Sequence, residues 1–127
     1  NATWKDDRGF VFFDFNIPTN ADYEGEGTYI PEELVGTFDM VVIDPPFIVK
    51  EVWEKYAKTA KFLLKPDCTT NRVLGTTVFE NASLMDELFG CKPQNYMPSI
   101  PHLVYQYNLY TNYQSDVFEK KNPEIPE

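Results

Sequence analysis

Residues 44–47 read Asp44-Pro45-Pro46-Phe47, directly after the mostly apolar run 38–43, FDMVVI. Two successive prolines fix φ and stiffen a turn. They carry no N–H, so the carbonyl oxygens beside them face no competing backbone donor. Asp44 adds a carboxylate acceptor and Phe47 a flat aromatic face. Acceptors beside a ring can hold an amino group, orient its lone pair, and stack on or cage whatever carries it. Neither a metal nor a covalent nucleophile is needed. A plainer reading is compatible with this one: Asp44 caps the next helix, and Pro45 and Pro46 begin it.

The elements around this turn give its setting. After one Asp, residues 38–43 are continuously apolar, as in a strand buried on both faces of a parallel sheet. Residues 48–64 predict a helix. Val52, Trp53, Tyr56, Ala57, Ala60, Leu63 and Leu64 form one apolar stripe, and Pro66 stops the pattern. Glu51–Lys55 and Glu54–Lys58 have the spacing of favourable pairs on its outer face. Residues 10–15 (FVFFDF) and 72–79 (RVLGTTVF) read as strands, and 16–27 as a loop. Residues 30–35 suit one helical turn closed by Gly36. Asn81 should cap a helix over 82–89 that Gly90 ends. A short strand near 95–97 and a long one over 103–113 complete the order. The last residues, EKKNPEIPE, predict a disordered tail beyond residue 115. Strands alternating with helices argue for an α/β fold with a largely parallel sheet. In such sheets ligands sit at the carboxyl ends of strands, which is where Asp44 falls.

Composition narrows the function. A length of 127 residues fits one domain or a piece of one. The formal net charge of -9 argues against broad binding to a phosphate backbone. No apolar run reaches the roughly 18 residues that span a bilayer, so no membrane partner is expected. Cys68, Cys91 and the single His102 are too few for a zinc site, and the cysteines read as plain thiols. The Asn1-Ala2-Thr3 and Asn81-Ala82-Ser83 sequons read as chance matches. His102 reads as a loop histidine, with a substrate-side base as the sharper option. Tyr105, Tyr107, Tyr110 and Tyr113 read as packing residues, with a cation-binding pocket as the alternative.

Asp-Pro-Pro-(Phe/Tyr) after such a strand resembles the signature of amino-group methyltransferases that use S-adenosylmethionine. Together with FVFFDFNIP, KYAKTAKFL and LYTNYQS, residues 10–115 are similar to the eukaryotic elongation factor 1A lysine methyltransferases, an N6-adenine methyltransferase-like family. The resemblance implies a partial Rossmann-like seven-stranded methyltransferase fold of order 3-2-1-4-5-7-6. Strands 3 to 7 would lie in this chain, in a mixed sheet whose last strand is antiparallel. It implies that Asp44, Pro45, Pro46 and Phe47 contact the amino group being methylated. It implies that Asp14, Phe15 and Asn16 lie near the adenine ring of the cofactor, S-adenosylmethionine; read alone, Asp14 is equally a turn former that bonds its own backbone. The expected substrate is a protein lysine on an elongation factor 1A-like partner, in the cytoplasm. Two departures stand out: Tyr105 replaces an expected Asn, and strand 5 ends GTTVFEN. The chain begins at Asn1 with no cofactor loop ahead of residue 10, so it is expected to be part of a longer chain and to bind cofactor poorly alone. The alternatives are N6-adenine methylation of nucleic acid and a non-catalytic methyltransferase-like subunit.

Overall fold

The computed structural model describes residues 9–66, 69–102 and 106–124. Four strands form one mixed sheet. They are β1 (Met40–Ile43), β2 (Arg72–Val78), β3 (Lys92–Pro93) and β4 (Tyr107–Thr111), in the order β1-β2-β4-β3. β1 and β2 run parallel, with Ile43 opposite Gly75. β4 is antiparallel to both of its neighbours. This order occupies the last four places of the expected sequence of strands, 4-5-7-6.

α1 (Lys50–Leu63) connects β1 to β2, and α2 (Ala82–Phe89) connects β2 to β3. Both helices lie on one face of the sheet. A Cβ added at Gly75 would stand 2.7 Å from Met85 of α2 and 3.3 Å from Trp53 of α1. The core fills that interface: Trp53, Met85, Cys91 and Tyr110 are fully buried there with Ile43, Ala60, Leu64 and Val73. Trp53 meets Phe89 edge to face at 5.9 Å. Gly36, in the left-handed region at φ 66, closes the 3-10 turn Glu32–Leu34. It turns the chain so that Phe38 bridges Leu64 at the end of α1.

Several expectations are corrected. Residues 10–15 form no strand: no strand pairs with them among the described residues, and their rings pack on α1 instead. Phe13 and Phe15 lie 5.3 and 6.0 Å from Tyr56, centroid to centroid. The sheet therefore holds four of the five expected strands. β1 is not buried on both faces either. The helices cover Ile43, but Val42 is 68% exposed, because successive strand residues face opposite sides and both helices lie on the Ile43 side. α1 begins at Lys50 with Val49 at its cap position, so Asp44 caps nothing, and Pro45 and Pro46 stay outside the helix. The two expected pairs within α1 give way to longer reaches. Lys55 donates to Asn16 at 2.9 Å, and Lys58 bonds Asp22 at 2.9 Å. Thr59 adds a bond to the Pro18 carbonyl, so the 16–30 loop is strapped onto α1. An amide pair between Asn20 and Ile30 closes that loop.

The strand expected near 95–97 appears as β3, slightly earlier in the chain. The expected tail beyond residue 115 is held as far as Glu124. α3 (Asp116–Glu119) follows β4, the Phe118 carbonyl accepts from the Tyr96 amide, and buried Asn122 donates to the Met97 carbonyl at 2.8 Å. Asn81 does not cap α2; its amide is used elsewhere, as shown below. Gly90 ends α2 as expected, at φ 66.

Candidate functional site

β1 ends at Ile43, and the chain turns away at the carboxyl end of the sheet through Asp44, Pro45, Pro46 and Phe47. Pro45 is buried, while Asp44 and Pro46 are exposed. Phe47 is 58% exposed. One oxygen of the Asp44 carboxylate accepts from the Thr76 hydroxyl at 2.7 Å. Thr76 belongs to β2, so the neighbouring strand fixes the orientation of the carboxylate.

The other expected group comes to the same place. Phe15 meets Phe47 edge to face, and its second neighbour is Tyr56, nearly parallel to it. Phe13, Tyr56, Phe15 and Phe47 therefore make a row of rings from α1 to the diproline turn. The Lys55 ammonium sits 5.7 Å from the centre of the Phe15 ring while it bonds Asn16. Asp14 turns back on its own backbone: its carboxylate accepts from the Asn16 amide and its carbonyl from the Ile17 amide. This is the turn-forming reading of Asp14. Burial, and secondarily the negative charge of Asp44, push the Tyr56 hydroxyl above the ordinary tyrosine range. Tyr56 thus stays a neutral phenol beside the carboxylate.

A cavity of about 450 Å³ opens between α1, the unpaired side of β1 and residues 9–13. Asp44 lies on its wall together with Ile43, Val42, Phe13, Tyr56 and Ala60. The lining is apolar apart from a few groups, as is common for small-molecule sites.

Other candidates fall away from this place. Tyr110 is core, and its hydroxyl donates to the Val78 carbonyl at 2.9 Å. Tyr113 stacks under Arg72, with the guanidinium 5.0 Å from the ring centre. His102 is exposed in a turn with φ 63. Tyr105, Cys68 and the first sequon lie outside the described residues. No group of metal-ligating side chains forms among the described residues, and no described helix is long and apolar enough to cross a membrane. Sequence reasoning placed Tyr56 in an apolar stripe and missed its tie to Phe15. It also passed over Thr76, whose only signal was its place near the carboxyl end of a strand beside Asp44.

A family model described as probable N6-adenine methyltransferase matches residues 3–115, most of the chain. The chain belongs to that family. This N6-adenine methyltransferase family member is 30% identical over 114 residues to a protein-lysine N-methyltransferase of Dictyostelium discoideum, which covers 89% of this chain and 49% of the relative. It is 32% identical over 111 residues to EEF1A lysine methyltransferase 1 of Danio rerio, covering 84% of this chain and 57% of that protein. The EEF1A lysine methyltransferase 1 of Homo sapiens is 30% identical over 111 residues, with 84% and 44% covered. The chain spans about half the length of the curated relatives it matches. No solved structure matches.

Methyltransferase membership implies S-adenosylmethionine in general, and the residues present fit it in part. The cavity suits a flat, apolar group next to Asp44. The ribose and amino-acid ends of such a molecule need polar partners. Among the lining side chains only Asp44, Tyr56 and Thr59 are polar, and the Thr59 hydroxyl is spent on Pro18 and Lys55. Asp14 and Asn16 are likewise engaged locally. The described residues do not complete a site for the whole cofactor.

Proposed function

We propose that this protein takes part in methylation of a protein lysine from S-adenosylmethionine, in the cytoplasm, with an elongation factor 1A-like protein as substrate. The observation that carries this reading is the diproline turn. An oriented carboxylate, Asp44, and an exposed ring, Phe47, stand together at the open end of β1 beside a cavity. The relatives are named as protein-lysine methyltransferases, which supports lysine as the acceptor. S-adenosylmethionine supplies the methyl group when bound.

The chain's own residues handle the amine. Lysine is protonated at neutral pH, so it must shed a proton before its lone pair can react. A partly apolar wall disfavours the ammonium form. Asp44, with one oxygen held by Thr76, offers its other oxygen to an amine N–H. The Pro45 carbonyl is the second acceptor, and Phe47 covers the side chain that carries the nitrogen. These contacts fix orientation, which is the main contribution a protein makes to an in-line displacement. In this reading Asp14, Phe15 and Asn16, which lie outside the lining of the cavity, take the adenine side, with Phe15 against Phe47.

Methylation of adenine in nucleic acid would use the same turn with Phe47 stacked on a flipped base, but the charge of -9 opposes it. The test is a methyl-transfer assay on the longest form of the protein that its gene encodes. Labelled S-adenosylmethionine is offered with elongation factor 1A or with duplex DNA, and products are mapped by mass spectrometry. Methyl-lysine that disappears with Asp44→Ala is expected. Label in adenine, or label that survives Asp44→Ala unchanged, rejects the reading.

A further inference from the structure

In the stretch GTTVFEN, which closes β2 and runs into α2, the proposed reaction uses Thr76 alone. Thr76, Thr77 and Asn81 of this stretch reach one place. Thr76 donates to Asp44 at 2.7 Å. Asn81 donates to the Ile48 carbonyl at 2.8 Å and stands 2.9 Å from the Thr77 hydroxyl. Thr77 is fully buried, and its hydroxyl also accepts from the Trp53 indole at 3.3 Å. The diproline turn is therefore gripped at both ends, at Asp44 where it leaves β1 and at Ile48 where it approaches α1. The second grip is anchored through Thr77 to the fully buried ring of Trp53.

This matters because the turn has little else to hold it. Of the turn only Pro45 is buried; Asp44, Pro46 and Phe47 are exposed, and the prolines cannot donate backbone hydrogen bonds. Stiff φ angles fix the shape of the turn but not its position relative to the sheet. Side-chain bonds from β2 supply that position. Of these groups only Thr76 touches Asp44, and Asn81 acts through the backbone alone. Asn81 is half-buried and its amide is committed.

We infer that Thr76 and Asn81 are positioning residues that clamp the Asp44–Phe47 turn, so that carboxylate and ring meet the acceptor nitrogen together. The inference rests on the proposed amino-group site and deepens it. Loss of either bond lets the turn shift, and misplacement by about 1 Å at a reacting centre costs up to ~100-fold in rate.

The experiment compares Thr76→Val, Thr76→Ser and Asn81→Asp with the unaltered full-length protein. Thr76→Val keeps shape and removes the donor; Thr76→Ser keeps the donor. Asn81→Asp keeps size and cannot donate to Ile48. Two readouts are taken: kcat and KM for methyl transfer, and the heteronuclear NOE of the Phe47 and Ile48 amides. Thr76→Val and Asn81→Asp should lower kcat roughly tenfold to a hundredfold, change KM much less, and lower the NOE at Phe47 and Ile48. Thr76→Ser should restore both. If kcat and NOE both stay at the unaltered values in Thr76→Val, the clamp is wrong. Should Asn81→Asp fail to fold, Thr76→Val, at a half-buried position, decides alone. If the unaltered protein transfers no methyl to lysine, the functional reading fails by itself, and the NOE still decides the clamp.

Discussion

Phe15 and Phe47 meet edge to face, with ring centres 6.5 Å apart and planes at 70°. The two residues are 32 positions apart and belong to the two ends of the candidate site. Such ring pairs contribute about 0.5–1.5 kcal/mol beyond burial, but Phe47 is mostly exposed, so its role in the fold is small. Phe47→Ala should therefore lower stability by about 1 kcal/mol or less, while methyl transfer falls at least tenfold in kcat/KM. Urea unfolding beside a steady-state assay separates the two effects. A large loss of stability with unchanged kcat/KM would show the ring to be packing only.

Gly75 illustrates a constraint set by packing rather than by backbone conformation. It lies in β2 opposite Ile43 and Tyr110, under Met85 and Trp53. Gly75→Ala would put a methyl group 2.7 Å from the end of Met85 and 3.3 Å from the Trp53 ring. Met85 is flexible in principle, but it is fully buried and has little room to retreat. Overpacking of this kind costs about 1–3 kcal/mol. A fall of that size in unfolding free energy, with a shift in Trp53 fluorescence, is expected. An equal or higher midpoint would mean that the core around Met85 is looser than its burial implies.

The parts of the fold legible in the sequence were those with a strong local period. The stripe from Val52 to Leu64 located α1, and Gly90 located the end of α2. The diproline turn was legible because its residue types have few other uses. Residues 10–15 misled because FVFFDF has every local preference of a strand. A strand needs a partner to hydrogen-bond, and here the rings find Tyr56 instead. The tail misled for the opposite reason. Charge and two prolines argue for disorder, but a single buried Asn122, with its bond to Met97, outweighs that composition locally. Thr76 was silent, and Asn81 read only as a helix cap, because a polar residue at a strand end declares no partner until the strands are arranged.

The tail makes a prediction of its own. Asn122 is 6% exposed; its amide nitrogen donates to Met97 and its carbonyl oxygen accepts from the Glu124 amide. Asn122→Ala removes both bonds, one to half-buried Met97 and one to exposed Glu124. The cost is about 1–3 kcal/mol. Proteolysis should then cut after Lys120 or Lys121 faster than in the unaltered protein. Cutting at the same rate would mean that α3 and the Tyr96–Phe118 ring contact secure the tail without Asn122.

Alkaline pH tests the core. Burial, with a smaller contribution from Asp86, raises the Cys91 thiol from its ordinary 9 to about 12. Burial, with the charge of Glu80 second, raises the Tyr110 hydroxyl from 10 to about 12. In both cases the folded state holds the proton after the unfolded chain has released it. The unfolded chain therefore binds fewer protons between these values, and stability falls as pH rises. Below about pH 9 neither group contributes a slope. From pH 9 toward 12 the unfolding free energy should drop steadily, first from Cys91 and then from both. Cys91→Ala should remove the earlier part of that slope, and Tyr110→Phe the later part, at the expense of its bond to Val78. In the native protein Cys91 should also resist iodoacetamide at pH 8, as peptide mapping would show, because a neutral buried thiol is a poor nucleophile. Rapid labelling of Cys91 under native conditions, or a flat stability profile between pH 9 and 11, would contradict the packing of Val73, Cys91 and Tyr110 into one sealed core.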